Sequence, residues 1–239
     1  MTGRSPTSHA AFRHLCALVI LICAGCDNHG HGFYPLEEGR WWDFETRTTV
    51  LDEVSAQRLM VANIGAGDHA GTPVLIQRQS AGREVYFRDT KRGLERIAVR
   101  QPIGEKETAA PATLVLPRDR AIGTTWTATT RLRLIESRTF ARQDKLRPRL
   151  LPLDLNLSIA ALDDTVTVPA GQFTGCIRVD GSGSRSVRTD RGNASAEVTV
   201  VHREWYAPGV GLVRVERSES AESPFLKAGQ YVQELLAFD

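Results

Sequence analysis

Few side chains in this sequence could do chemistry, and their spacing decides what each could do. Acid–base catalysis near neutral pH falls most often to histidine, and from residue 34 onward the chain offers only His69 and His202. His202 stands in Val201-His202-Arg203-Glu204, inside an alternating stretch, so a strand presents it. A Ser-His-Asp site would also need a positioned nucleophile and an orienting acid. Gly181-Ser182-Gly183-Ser184 is rich in glycine and serine but lacks the Gly-x-Ser-x-Gly elbow. Asp163-Asp164 comes just before an apolar alternating run and reads as a charged turn. Cys176 lies between strand residues with no base beside it to favour the thiolate, and reads as a small buried core residue. His29 and His31 belong to Asp27–Gly32, where two imidazoles without a third ligand make a poor metal site. That stretch reads as a solvated tether. The expectation is therefore no catalytic residue, no metal and no cofactor.

Cys26 has a different context. Arg4, Arg13 and His14 give a positive start, and Leu15–Ala24 is an uncharged apolar run of ten residues. Such a run matches the core of a signal peptide and is well short of the roughly 20 residues that span a bilayer. It leads into Cys23-Ala24-Gly25-Cys26, which resembles the lipobox of bacterial lipoproteins, with Cys23 standing where an aliphatic residue is usual. The resemblance implies that the sulfur of Cys26 receives diacylglycerol and that cleavage makes Cys26 the first mature residue. Each buried methylene adds about 0.8 kcal/mol, so two or three acyl chains hold a soluble domain on a membrane. Asp27 is similar to the residue that favours inner-membrane retention in enterobacteria; the choice between inner and outer membrane stays open. Cys16 and Cys23 fall in the removed segment, which leaves Cys176 without a disulfide partner once Cys26 is lipidated.

Arg4 and Arg13 are the only ionised side chains ahead of Cys26, so the remainder carries 28 basic and 28 acidic residues. A neutral domain without a basic stripe excludes nucleic acid as a partner. Of the basic residues only Lys91, Lys106, Lys145 and Lys227 are lysine. The arginine excess reads as a GC-rich coding bias in preference to a functional use of scattered arginines.

These residues must be positioned by strands. Trp42, Phe44, Thr46, Thr48 and Val50 alternate with polar residues, as do Trp126, Ala128, Thr130, Leu132 and Leu134. In 196–206, Ala196, Val198, Val200, His202, Glu204 and Tyr206 share one face, with Thr199, Val201 and Trp205 opposite, which predicts a bulge or a strand covered on both sides. Shorter strands are expected at Val74–Gln77, Glu84–Arg88, Leu94–Val99, Thr113–Leu116, Thr165–Val168, Cys176–Asp180, Gly211–Arg217 and Tyr231–Phe238. Leu51–Ala62 fits a short helix and a strand equally. Arg138–Leu155 reads as a long exposed connection, Gly181–Arg188 as a flexible stretch and Asp190–Asn193 as a hairpin loop. The expected organisation is a signal peptide at 1–25, a tether at 26–33 and one β-rich domain at 34–239. Its class is all-β: an antiparallel sandwich, or a strongly curved, half-barrel-like sheet.

Four segments, taken in order, resemble a group of uncharacterised bacterial lipoproteins. Tyr34-Pro35-Leu36-Glu37-Glu38-Gly39-Arg40-Trp41-Trp42 is similar to their opening motif, and Leu116–Trp126 to an element in the middle. Val166-Thr167-Val168-Pro169-Ala170-Gly171-Gln172-Phe173 with Cys176 resembles a third, and Trp205-Tyr206-Ala207-Pro208-Gly209-Val210-Gly211-Leu212-Val213 the closing motif. The resemblance implies an all-β envelope lipoprotein facing the periplasm and transfers no catalytic residue. The motifs themselves read as turn and core residues. Three functions follow in order of weight: a non-enzymatic scaffold or interaction module with an envelope protein partner, then a small-ligand or lipid carrier using an apolar cavity in the sheet, then an enzyme at His202.

Overall fold

The structure, a computed structural model, describes residues 32–50, 53–102, 112–137, 151–188, 194–224 and 226–239. Cys26, His29, His31 and the 190–193 loop lie outside them. The strands are β1 (Trp41–Val50), β2 (Glu53–His69), β3 (Thr72–Gln79), β4 (Glu84–Thr90), β5 (Gly93–Arg100), β6 (Thr113–Pro117), β7 (Thr125–Arg131), β8 (Glu136–Ser137), β9 (Pro152–Val168), β10 (Gly171–Arg188), β11 (Ser195–Ala207), β12 (Gly211–Ala221), β13 (Leu226–Lys227) and β14 (Gly229–Phe238). Twelve form one antiparallel sheet in the order β6-β5-β4-β3-β2-β1-β14-β12-β11-β10-β9-β7; β8 and β13 pair separately.

Two meanders are thus joined back to back. One runs from β1 out to β6, the other from β14 out to β7, and β1 and β14 pair along their length. The sheet curls until the two outer strands meet, where the Trp126 indole on β7 donates to the Leu114 carbonyl on β6 at 3.1 Å. The result is an all-β sheet nearly closed into a barrel, so the curved-sheet expectation holds and the sandwich does not. Closure also hides two strand edges that would otherwise template pairing with other chains.

Length makes the curvature possible. β9 and β10 are 17 and 18 residues long, and their register slips between Phe173 and Val179. Along β9 the buried set is Leu153, Leu155, Leu157 and Ile159, then switches phase to Val166 and Val168. The first set joins a core with Trp126, Val198 and Val200, the second a core with Trp42, Cys176, Trp205 and Leu235. A bulge between Trp205 and Tyr206 does the same for β11, where Trp205, Tyr206 and Ala207 are all buried. This is the two-sided covering that the mixed faces of 196–206 predicted.

Several expectations are corrected. Leu51–Ala62 is strand from Glu53 onward and no helix. Gly181–Arg188 is not flexible but is the second half of β10. A methyl group on Gly183 would sit 2.3 Å from the Asp154 carbonyl oxygen, so the glycines there serve close approach of β9 to β10, a role that composition disguises as flexibility. Pro152–Leu155 is strand with buried Leu153 and Leu155, not exposed connection. The Asp163-Asp164 pair is inside β9, not a turn; Asp164 accepts from Arg178 at 3.2 Å and from the Trp205 indole at 3.0 Å. The run that starts at Trp126 leaves the sheet after Arg131, and Leu132 and Ile135 are fully buried outside any strand of it.

Candidate functional site: the barrel interior

Two segments that belong to no strand of the large sheet enter the barrel. The first precedes β1. The Tyr34 ring lies 5.3 Å from the Phe87 ring on β4 and 6.2 Å from the Tyr206 ring on β11, strands far apart in the sheet, so it spans the interior. Asn63 on β2 holds this segment by donating to the Pro35 and Glu37 carbonyls, both at 3.1 Å. The opening motif docks on the closing motif: the Trp42 indole donates to the Val210 carbonyl at 2.7 Å and Arg40 to the Gly209 carbonyl at 2.8 Å. Gly32 and Phe33 already touch the barrel, since the Gly32 carbonyl accepts from the Gly209 amide and Arg120 lies 5.4 Å over the Phe33 ring.

The second segment, Leu132–Ile135, crosses from β7 to β12. Its anchor is Glu219 on β12, which has no exposed surface. The Glu219 carboxylate accepts from the Arg133, Leu134 and Ile135 amides at 2.9–3.2 Å and from the Arg217 guanidinium at 2.8 Å. Arg217 also donates to the Arg131 carbonyl at 3.0 Å. A buried carboxylate is tolerable only when its oxygens are saturated in this way.

Between the two segments the described residues leave space in the barrel. A cavity of about 200 Å³ lies among Tyr34, Trp42, Phe44 and Phe87, and a second of about 480 Å³ lies towards Leu134 and Arg217. They share Gln79, Arg83, Arg96, Glu204 and Gln233, together with the apolar Val115 and Leu212, as a common wall. The first lobe is largely aromatic and apolar beyond Gln77, and the wall between the lobes is mostly polar.

Among the described residues, the charges of that wall do not balance. Burial, then the neighbouring Arg133 and Arg96, push the Arg83 guanidinium down to about 10. Arg96 is lowered by burial and then by Arg133. A guanidinium keeps its charge in a protein, so both count as cations. Among the described residues no carboxylate reaches ion-pair distance of Arg83, Arg96 or Arg133. Several other arginines are paired: Glu84 on β4 bridges its cross-strand neighbours Arg78 and Arg100 at 2.7 and 2.6 Å, and Glu95 takes Arg88 at 3.0 Å. Glu204, the carboxylate facing the cavity, is engaged by His202 at 2.9 Å and by the Tyr206 hydroxyl at 2.6 Å. Burial alone would raise its pKa, but His202, Tyr206 and Arg96 outweigh that and hold it below the usual carboxylate range. Burial, reinforced by Glu204, lifts Tyr206 well above the ordinary phenol.

The residues singled out in the sequence do not assemble into a catalytic group. His69 ends β2 with its ring 5.6 Å from Tyr86, while His202 is committed to Glu204. Cys176 is fully buried, its thiol directed at the Phe173 carbonyl at 3.6 Å, and burial followed by Asp164 pushes it up to about 11. Ser182 and Ser184 lie on β10. Among the described residues no three His, Cys, Asp or Glu side chains gather as metal ligands. Sequence reasoning missed the arginines: Arg83 sits just after a turn, Arg96 beyond a register slip in β5, and Arg133 after a strand has ended. No periodicity connects them.

Fold and cavity together define a small, nearly closed antiparallel barrel with a partly cationic interior. No protein-family model matches the chain, and no curated protein does. Two solved structures have similar backbones. One is a candidate lipoprotein from Parabacteroides distasonis, 16% identical, with a TM-score of 0.36, covering 88% of this chain and 99% of its own. The other is a candidate exported protein with a YmcC-like fold from Bacteroides fragilis, 14% identical, with a TM-score of 0.38, covering 87% and 99%. Neither likeness bears on ligand or location.

Proposed function

We propose that the chain is a lipid-anchored protein of the bacterial cell envelope, facing the periplasm, whose barrel works without catalysis as a carrier of a small ligand held in its interior. The observation that carries the ligand reading is the cavity. Protein interiors are close-packed, and unfilled volume costs stability. A barrel that served only as a scaffold gains nothing from lobes of about 200 and 480 Å³ kept open between two inserted segments. The interior differs from the purely apolar pocket expected of a lipid carrier, because its central wall is charged.

A second reading, an envelope protein partner, is favoured by the outer edge of β2. Residues 53–59 pair with β1 on one side only among the described residues, and Val54 and Met60 are 65% and 50% exposed.

The anchor rests on the apolar run and the Ala24-Gly25-Cys26 sequence. The whole chain, expressed in a bacterium fed labelled palmitate, is expected to carry label that Cys26→Ala removes; label that survives the substitution contradicts lipidation at Cys26. For the carrier reading, the mature chain with Cys26→Ser is exported to a periplasm, which removes the lipid and leaves every described residue in place. Its native mass spectrum is expected to show an adduct that disappears on denaturation. A clean unliganded mass contradicts the carrier reading.

A further inference from the structure

We propose that the ligand is an acid, a carboxylate or a phosphate, whose charged group sits between Arg83 and Arg96 at the junction of the two lobes, with Arg133 on the larger lobe. This rests on the carrier reading and adds the ligand's chemical class.

Three arginines line one cavity, and among the described residues none of the three has an ion-pair partner. Uncompensated cations on a partly desolvated wall repel one another and lose hydration, so their clustering costs stability. Among the described residues only the charge of Glu204 offsets part of that cost, through its attraction to Arg96. The facing carboxylate, Glu204, has both oxygens occupied by His202 and Tyr206. Gln79 and Gln233 beside the arginines add neutral donors without adding charge. An incoming acid reverses the balance. The guanidinium fork matches a carboxylate or phosphate with two parallel bonds, and such bonds strengthen in a low-dielectric site. Arg133, exposed and at the end of the larger lobe, stands where an acid would first be met. The smaller lobe, walled by Trp42, Phe44 and Phe87, would take an apolar part of the same molecule. An acid with an apolar tail and a free anion share the same head chemistry, and the test separates them.

The exported mature chain with Cys26→Ser, stripped of any bound material, is titrated with dansyl-undecanoic acid, with its uncharged methyl ester, and with inorganic phosphate as competitor. The acid is expected to bind at least ~10-fold more tightly than the ester, the discrimination that a charge-assisted hydrogen bond of about 1.5–3 kcal/mol supplies. Arg83→Gln with Arg96→Gln removes that preference, so that acid and ester bind alike, while the folded spectrum of the variant stays that of the parent. Phosphate that displaces the acid at similar concentration identifies the source as a free anion; phosphate without effect identifies an acid with a tail. Equal binding of acid and ester, unchanged by the substitutions, overturns the acid assignment and leaves the carrier reading standing. Binding of none of the three probes, with a clean unliganded mass, overturns both.

Discussion

Glu219→Ala is expected to destabilise the domain by about 3–5 kcal/mol, the cost of breaking one side of a buried ion pair. The substitution removes more than a charge. Glu219 has no exposed surface and accepts from three consecutive amides and from Arg217, itself only 7% exposed. Without the carboxylate, three amides are left without an acceptor and the Arg217 guanidinium keeps only the Arg131 carbonyl and the Thr130 hydroxyl, with no counter-charge. Leu132–Ile135 then loses the anchor that holds Leu132 and Ile135 in the core. For a domain of this size the melting temperature should fall by roughly 6–20 °C. Glu219→Gln is nearly as damaging, because the side-chain amide would point an NH2 at backbone donors. A differential-scanning measurement checks this. A Gln variant that melts with the parent would show that shape and not charge holds the segment.

Gly93→Ala is the second large effect. Gly93 opens β5 at φ +135°, and a Cβ there would lie 2.2 Å from the Leu116 carbonyl oxygen and 2.7 Å from the Arg118 amide. These are backbone atoms, so no side-chain rotation relieves the overlap. Left-handed strain and overpacking together are expected to cost about 2–5 kcal/mol. The damage falls on the seam, because Gly93 pairs with Pro117 and the same strand β6 accepts the closing bond from Trp126. Urea unfolding followed by tryptophan fluorescence should show a lowered midpoint and altered Trp126 emission. Gly123→Ala is the control: its φ is +87° but no heavy atom lies within 4 Å, so it carries only the backbone strain. Equal losses for the two variants would mean that close packing at the seam is not the cause.

The strands were legible because a half-buried strand writes itself as alternation, and the turns because proline and glycine restrict or free the backbone. Errors came where one residue type serves two purposes. Gly181 and Gly183 suggested flexibility, yet they let β9 and β10 approach. Asp163 and Asp164 suggested a turn, yet a register slip lets the strand carry them and Asp164 engages Arg178 and Trp205. Leu132 and Leu134 continued an alternation but serve an inserted segment that only Glu219, 84–86 residues away, explains. The site was less legible still. Arg83, Arg96 and Arg133 come from a turn, a slipped strand and a plug. In a chain with 30 basic residues, nothing local separates them from paired surface arginines such as Arg78 and Arg88. What distinguishes the three is that they line one cavity with no carboxylate at ion-pair distance among the described residues, and that is a property of the folded barrel.

The most direct test of the central claim, that the barrel interior is an acid-binding cavity, is a crystal structure of the mature chain with Cys26→Ser purified from a periplasm without stripping. The account predicts continuous non-protein density between Tyr34 and Leu134, with its polar end within hydrogen-bond distance of Arg83 and Arg96. An interior holding only water, or one collapsed with those guanidiniums turned out to solvent, would contradict it.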